Sequence, residues 1–164
     1  MRPVAVLIGP PASGKSKLGK AVARILGLPF ADTDKRVVEK HGPIVDIFRE
    51  RGVEQFRRWE RHEVARALTE GGIVALGGGA IEDSETQADL AAHRVVLVTV
   101  SAEAVEARIA NDNRPLLDGI DSWISLVEAR MPIYERLADI RVDTSVGPME
   151  NHAAELANRL EVNS

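Results

Sequence analysis

Gly9-Pro10-Pro11-Ala12-Ser13-Gly14-Lys15-Ser16 matches the pattern G-x-x-x-x-G-K-[ST], and each part of that spacing has a use in holding an anion. Glycines let backbone N–H groups turn inward around phosphate oxygens, and a helix that starts at the end of the pattern adds the positive end of its dipole. Gly9, Ala12, Ser13 and Gly14 then form a cradle for the phosphates of ATP, Lys15 reaches the β- and γ-phosphates, and the Ser16 hydroxyl ligates Mg2+. Ala12 and Lys17 stand where many such loops carry Gly and Thr, and Ala12 is expected to take a backbone conformation without positive φ. The rival reading is a Gly-rich turn that holds nothing.

Three further constellations bear on what receives the phosphate. Asp32-Thr33-Asp34 follows the apolar Pro29-Phe30-Ala31, at the expected C-terminal end of a strand, where open α/β sheets bind ligands. There Asp32 suits the magnesium shell, and Asp34 suits orienting or deprotonating an acceptor hydroxyl. Without the phosphate loop, a turn or helix N-cap would be the default role for Asp34. Phe56-Arg57-Arg58-Trp59-Glu60 sits in a helical stretch where Arg57 and Glu60 are i,i+3 neighbours. It is either a solvated charged face or a place where Arg57, steadied by Glu60 and flanked by Phe48 and Phe56, meets an anionic substrate as a two-pronged fork. Gly77-Gly78-Gly79 ends the apolar run Ile73 to Leu76 in bare backbone. A flexible turn is one reading, and close approach of a ligand the other, because three consecutive glycines are entropically costly to order.

The elements that must position these residues are legible in the hydrophobic pattern. Short apolar runs recur at Val4 to Ile8, Pro29 to Asp32, Ile73 to Leu76, Arg94 to Val100 and Ile140 to Val142. Helical periodicity marks Ser16 to Leu26, Lys35 to His41, Ile44 to Arg51, Glu54 to Glu70, Ala102 to Ala110, Ser122 to Tyr134 and Met149 to Leu160. Such alternation predicts an α/β fold of the P-loop NTPase kind: a five-stranded parallel sheet with helices on both faces. Ser101 is a candidate N-cap, and Asn111 to Asp121, polar and aperiodic, is expected to be a short mobile lid.

With 164 residues, 45% of them hydrophobic, and no linker-like segment or repeat, the chain is expected to be a single domain, residues 1 to 164. No apolar run approaches the ~20 residues that span a bilayer, so neither membrane association nor a location outside the cytoplasm is expected. A net charge of −4 gives no global attraction for nucleic acid, and the absence of cysteine excludes disulfides and thiol chemistry. His41, His62, His93 and His152 show no metal-ligand spacing, and Trp59 and Trp123 read as packing residues.

Taken in order, GPPASGKS, ADTD, IVDIFRERG with FRRWE, ALGGGA, NRPLL, RMPIY and VDTS resemble the shikimate kinase family over nearly the whole chain. The resemblance implies a monomer that transfers the γ-phosphoryl group of ATP to the 3-hydroxyl of shikimate, with Mg2+ as cofactor, on the route to chorismate and aromatic amino acids. By motif it implies that Asp34, Arg57, Gly77, Gly78, Gly79 and Arg130 hold shikimate, with shikimate-binding helices spanning about residues 34 to 62. It further implies that Arg114 of NRPLL swings from the lid onto the ATP phosphates and that Arg108 stacks on adenine, so that Asp34, Lys15 and Arg114 carry the catalysis. Val53 stands where the family usually has Glu, the stretch from Arg108 to Arg114 looks one residue short, and Pro148 is a candidate second wall for adenine. The alternatives are another small-molecule kinase, gluconate kinase-like, and a catalytically silent metabolite sensor on the same fold.

Overall fold

The computed structural model describes residues 1–112 and 119–162. Five parallel strands, β1 (Ala5–Ile8), β2 (Phe30–Asp32), β3 (Ile73–Ala75), β4 (Val95–Thr99) and β5 (Ile140–Asp143), form one sheet in the order β2-β3-β1-β4-β5. The expected five-stranded parallel α/β architecture is therefore present. Because side chains alternate across a strand, each strand feeds two cores. Val6, Ile8, Val74, Leu76, Val95 and Leu97 face one cluster, completed by residues of α4 (Val53–Ala67), α5 (Ser84–Leu90) and α7 (Gly119–Leu137). Ala5, Leu7, Ile73, Ala75, Val96 and Val98 face the other, completed by α1 (Lys15–Leu26) and α8 (Met149–Val162). Strands buried on both faces read as continuous apolar runs, which is why β1, β3 and β4 are plain in the sequence. Leu7 and Leu97 are essentially inaccessible, and truncating either to Ala would cost ~2–5 kcal/mol.

Two smaller clusters position the functional parts. Val37, Ile47 and Phe56 join α2 (Thr33–His41), α3 (Ile44–Arg51) and α4 into a subassembly beside the edge strand β2. Val100, Val105 and Trp123 join α6 (Ala102–Asp112) to α7. Ser101 accepts from the Ala104 N–H at 3.2 Å, the capping contact its position foretells.

Several boundaries differ from expectation. The fourth helix stops at Ala67 rather than Glu70, because Gly71 and Gly72 follow with φ of 80° and 76° and turn the chain into β3. α6 runs to Asp112 and α7 begins at Gly119, so the polar stretch from Asn111 to Asp121 is shorter than its composition implies at both ends. The segment proposed as a lid, Arg114 included, otherwise lies outside the described residues. α5 was not expected; Asp83 caps it through the Thr86 N–H at 2.9 Å. Among the described residues no helix is long and apolar enough to cross a membrane.

Candidate active site

All of the strands run parallel, so their C-terminal ends open onto one rim, and the predicted residues that fall within the described chain gather there. The phosphate loop leaves β1, and Gly14 at φ 84° begins α1 with no side chain capping that helix and no acidic residue in its first turn. The first N–H groups of α1 are thus left for an anion. Ala12 corrects the sequence reading: its φ is +66°, in the left-handed region. That conformation costs an alanine ~1–2 kcal/mol, so the surroundings must hold it.

Lys15 places its ammonium 3.4 Å from the Pro10 carbonyl. Burial pulls its pKa below the ordinary lysine value, with Asp34 and then Asp32 pulling it back up. The Ser16 hydroxyl donates to Asp32 Oδ2 at 2.6 Å, while Oδ1 of the same carboxylate accepts the Lys35 N–H at 3.0 Å. Asp32, not Asp34, is therefore the N-cap of α2, and Asp34 lies in its first turn. This settles the alternative for Asp34 by freeing its side chain from a capping role. Among the described residues no cluster of three or more His, Asp or Glu could hold a metal ion by itself. Ser16 and Asp32 instead form a hydroxyl–carboxylate pair, which matches the way Mg2+ is held by one or two protein oxygens with substrate phosphates supplying the rest.

Asp34 projects toward the triple glycine. Its Oδ1 is buried without a hydrogen-bond partner, and burial raises its pKa, an effect that Lys15 opposes most strongly. A Cβ on Gly77 would collide with this carboxylate, and one on Gly79 would collide with the Arg57 guanidinium. The glycine run is therefore neither a loose turn nor simply an approach for a ligand; it makes room for the protein's own charged groups. Thr33, fully buried, accepts the Gly77 N–H at 3.2 Å and ties the run to α2.

Arg57 binds Glu60 Oε1 at 2.8 Å, which favours the positioned-arginine reading over the solvated face. Phe56 lies beneath its guanidinium, 5.6 Å from ring centroid to Cζ, and Phe48 meets Phe56 edge-on at 5.2 Å. Glu60 is buried, and burial pushes its pKa up to about 6 against the pull of Arg57. Arg130, only 8% exposed, pairs with Glu82 at 3.4 Å and lies beside Gly78. Tyr134, one turn further along α7, donates to the Gly78 carbonyl at 3.4 Å.

Arg108, for which the resemblance implies stacking on adenine, lies against the back of the phosphate loop. Its guanidinium donates to the Ala12 carbonyl at 2.8 Å and also to the carbonyl and hydroxyl of Thr144. Pro148 is exposed, while its neighbour Met149 reaches Gly14. Glu82, Tyr134, Thr33 and Thr144 went unremarked as site residues in the sequence. Thr144 lies within VDTS and Tyr134 within RMPIY, so motif membership was the available signal for both. Glu82 had none.

A phosphate loop on a parallel sheet, facing a carboxylate and two arginines, defines a P-loop phosphotransferase built for a small anionic acceptor. The comparisons narrow this further. The family model described as shikimate kinase matches residues 11–161. A shikimate kinase of Thermobifida fusca is 45% identical over 97% of this chain and 95% of its own. The structure of a shikimate kinase from Acinetobacter baumannii in complex with shikimate superposes with a TM-score of 0.89 at 26% identity, covering 100% of this chain and 96% of that one. This chain belongs to the shikimate kinase family. A gluconokinase from Sinorhizobium meliloti, at 18% identity and a TM-score of 0.59, shares the fold alone.

Proposed function

We propose that this chain transfers the γ-phosphoryl group of ATP to the 3-hydroxyl of shikimate, giving shikimate 3-phosphate and ADP. The observation that carries this reading is the convergence of Asp34, Arg57 and Arg130 on Gly77 to Gly79, next to Lys15 of the phosphate loop. Phosphoryl transfer demands little covalent chemistry from the protein, so positioning and charge stabilisation dominate. The shikimate carboxylate would be received by Arg57 and Arg130, whose guanidiniums match a carboxylate fork to fork. Asp34 would accept a hydrogen bond from the reacting hydroxyl, and its raised pKa makes it a better proton acceptor near neutral pH than an exposed aspartate. The buried orphan oxygen of Asp34 and the equally unpartnered Ser13 hydroxyl in the loop are the polar atoms a bound substrate and nucleotide would satisfy.

Lys15 would hold the β- and γ-phosphates, backed by the loop N–H groups and the start of α1. Ser16 and Asp32 would hold Mg2+, which when bound neutralises phosphate charge. Arg114 would complete the positive charge around the γ-phosphate. An ADP-release assay offered shikimate, gluconate and nucleoside monophosphates in turn tests the proposal. Turnover with shikimate alone is expected; turnover with gluconate would give the acceptor to the rival kinase class, and shikimate binding without turnover would make the chain a sensor.

A further inference from the structure

Successive carbonyls of the phosphate loop each meet a donor. Pro10 takes the Lys15 ammonium at 3.4 Å and the Ser13 N–H at 3.3 Å. Pro11 takes the indole N–H of Trp123 at 2.8 Å, Ala12 takes Arg108 at 2.8 Å, and Ser13 takes the Thr144 hydroxyl at 2.6 Å. In a trans peptide the N–H points opposite to the C=O, so a donor that grips a carbonyl also aims the next N–H the other way. Trp123 therefore sets the direction of the Ala12 N–H, and Thr144 that of the Gly14 N–H.

Ala12 is where this matters most. It is the one non-glycine described residue at positive φ, and the peptides on its two sides are held by Trp123 and Arg108. A glycine would rest in that conformation unaided. Trp123 is itself immobilised: it is 5% exposed and packed with Val100 and Val105 between α6 and α7, so its N–H has a fixed direction. The Pro11 ring, whose carbonyl Trp123 holds, also lines the acceptor side, since a Cβ on Gly78 would touch it at 3.4 Å.

We propose that Trp123 is a positioning residue for the phosphate loop, its indole N–H holding the Pro11–Ala12 peptide so that Ala12 keeps the left-handed conformation in which the cradle binds nucleotide phosphate. The inference rests on the nucleotide reading of the loop. It treats Trp123 as compensation for an alanine at a position that favours glycine, and that predicts energetic coupling between residues 12 and 123.

A double-mutant cycle tests it, with Trp123→Phe, Ala12→Gly and both together, reading the MgADP dissociation constant by calorimetry and the melting temperature of each. Trp123→Phe keeps an aromatic ring and removes the donor, and should weaken MgADP about five-fold, as expected for one lost hydrogen bond. In the Ala12→Gly background the same change should cost less than about two-fold, because glycine needs no clamp. The drop in melting temperature, which reports packing, should be similar in both backgrounds. An equal loss of MgADP affinity in both backgrounds, or none in either, would assign Trp123 to packing alone and overturn the proposal. Should Trp123→Phe fail to fold, the indole N–H resonance of Trp123 in the wild-type protein serves instead. It should be protected from exchange and shift on adding MgADP, and an unresponsive resonance overturns the proposal. A wild-type protein that binds no MgADP at all would sink the nucleotide reading instead.

Discussion

Glu60 has a side chain only 4% exposed and a pKa raised by burial, even with Arg57 at 2.8 Å. The groups that act on it are Arg57 and Arg130, which favour its charge, and Asp34, which opposes it. Raising a glutamate from its ordinary value near 4.5 to about 6 means that the fold resists its ionisation. A difference of about 1.5 in pKa, at 1.36 kcal/mol each, amounts to about 2 kcal/mol. For a carboxylic acid with a raised folded-state pKa, the contribution to stability is fully present below the unfolded value and is lost as pH rises through the folded one. The ligand-free protein should thus lose about 2 kcal/mol from Glu60 between about pH 4.5 and pH 6.5 and recover none of it above. Glu60→Gln mimics the protonated acid and retains an oxygen for Arg57, so the variant should not show that loss. Relative to wild type, its stability should therefore gain about 2 kcal/mol between about pH 4.5 and about pH 8, or about 4–8 °C in melting temperature for a chain of this size. Thermal melts of both proteins across that range are the assay. Comparing the two cancels groups that titrate alike in both. A difference in melting temperature that does not change with pH would refute the buried-charge argument.

Arg57→Ala should raise the shikimate KM far more than the ATP KM, because removing one partner of a desolvated charge pair costs ~2–5 kcal/mol, roughly thirty-fold or more. Equal effects on both constants would count against Arg57 as an acceptor-binding residue. Asp34→Asn keeps the shape of the side chain and removes its basicity, so turnover should fall at least about a hundred-fold while MgADP affinity survives; near-normal turnover would remove Asp34 from the chemistry. Shikimate binding to the nucleotide-free protein should tighten as pH falls through about 6, where Glu60 protonates and loosens its hold on Arg57, and Glu60→Gln should flatten that dependence. Calorimetric titration of both proteins on either side of that pH reads the difference, and an unaltered slope in the variant would show that Glu60 does not compete for Arg57.

How legible these features were depended on how local their causes are. β1, β3 and β4 are continuous apolar runs because both faces of the sheet are covered, and that burial needs no knowledge of partners to be read. The phosphate loop was legible because its chemistry depends on residues adjacent in sequence. That Asp32 rather than Asp34 caps α2 was not, since it turns on whether the helix starts at Thr33 or two residues later at Lys35. Ala12 was misread because a residue type states its own preference and not the forces that override it; Trp123 and Arg108 lie 111 and 96 residues away. The triple glycine was half read. Close approach was foreseen, but that the approaching groups are Asp34 and Arg57 depends on how α2 and α4 pack across the rim.

That packing also decides how the charges of the site are balanced within the protein itself. Arg130 is buried and would be costly to leave unpaired, whereas Arg57 keeps part of its side chain in solvent; each has an internal carboxylate, Glu82 for Arg130 and Glu60 for Arg57. These two acids are not equivalent as partners. Glu60 is buried within α4, so it cannot leave; Glu82, half exposed at the end of a short 3-10 turn (Ala80–Glu82), can swing into water. Under the proposed acceptor site, an incoming carboxylate would displace Glu82 from Arg130 at little cost but would have to share Arg57 with Glu60. Arg57 is held in place by that partner, by the Phe56 ring and by the absent Cβ of Gly79, and is preorganised at the expense of strength. Arg130 is the more available of the two for a new bidentate bond. On this argument, in the proposed acceptor site Arg57 would bring a guanidinium already fixed in direction, and Arg130 one whose partner can give way.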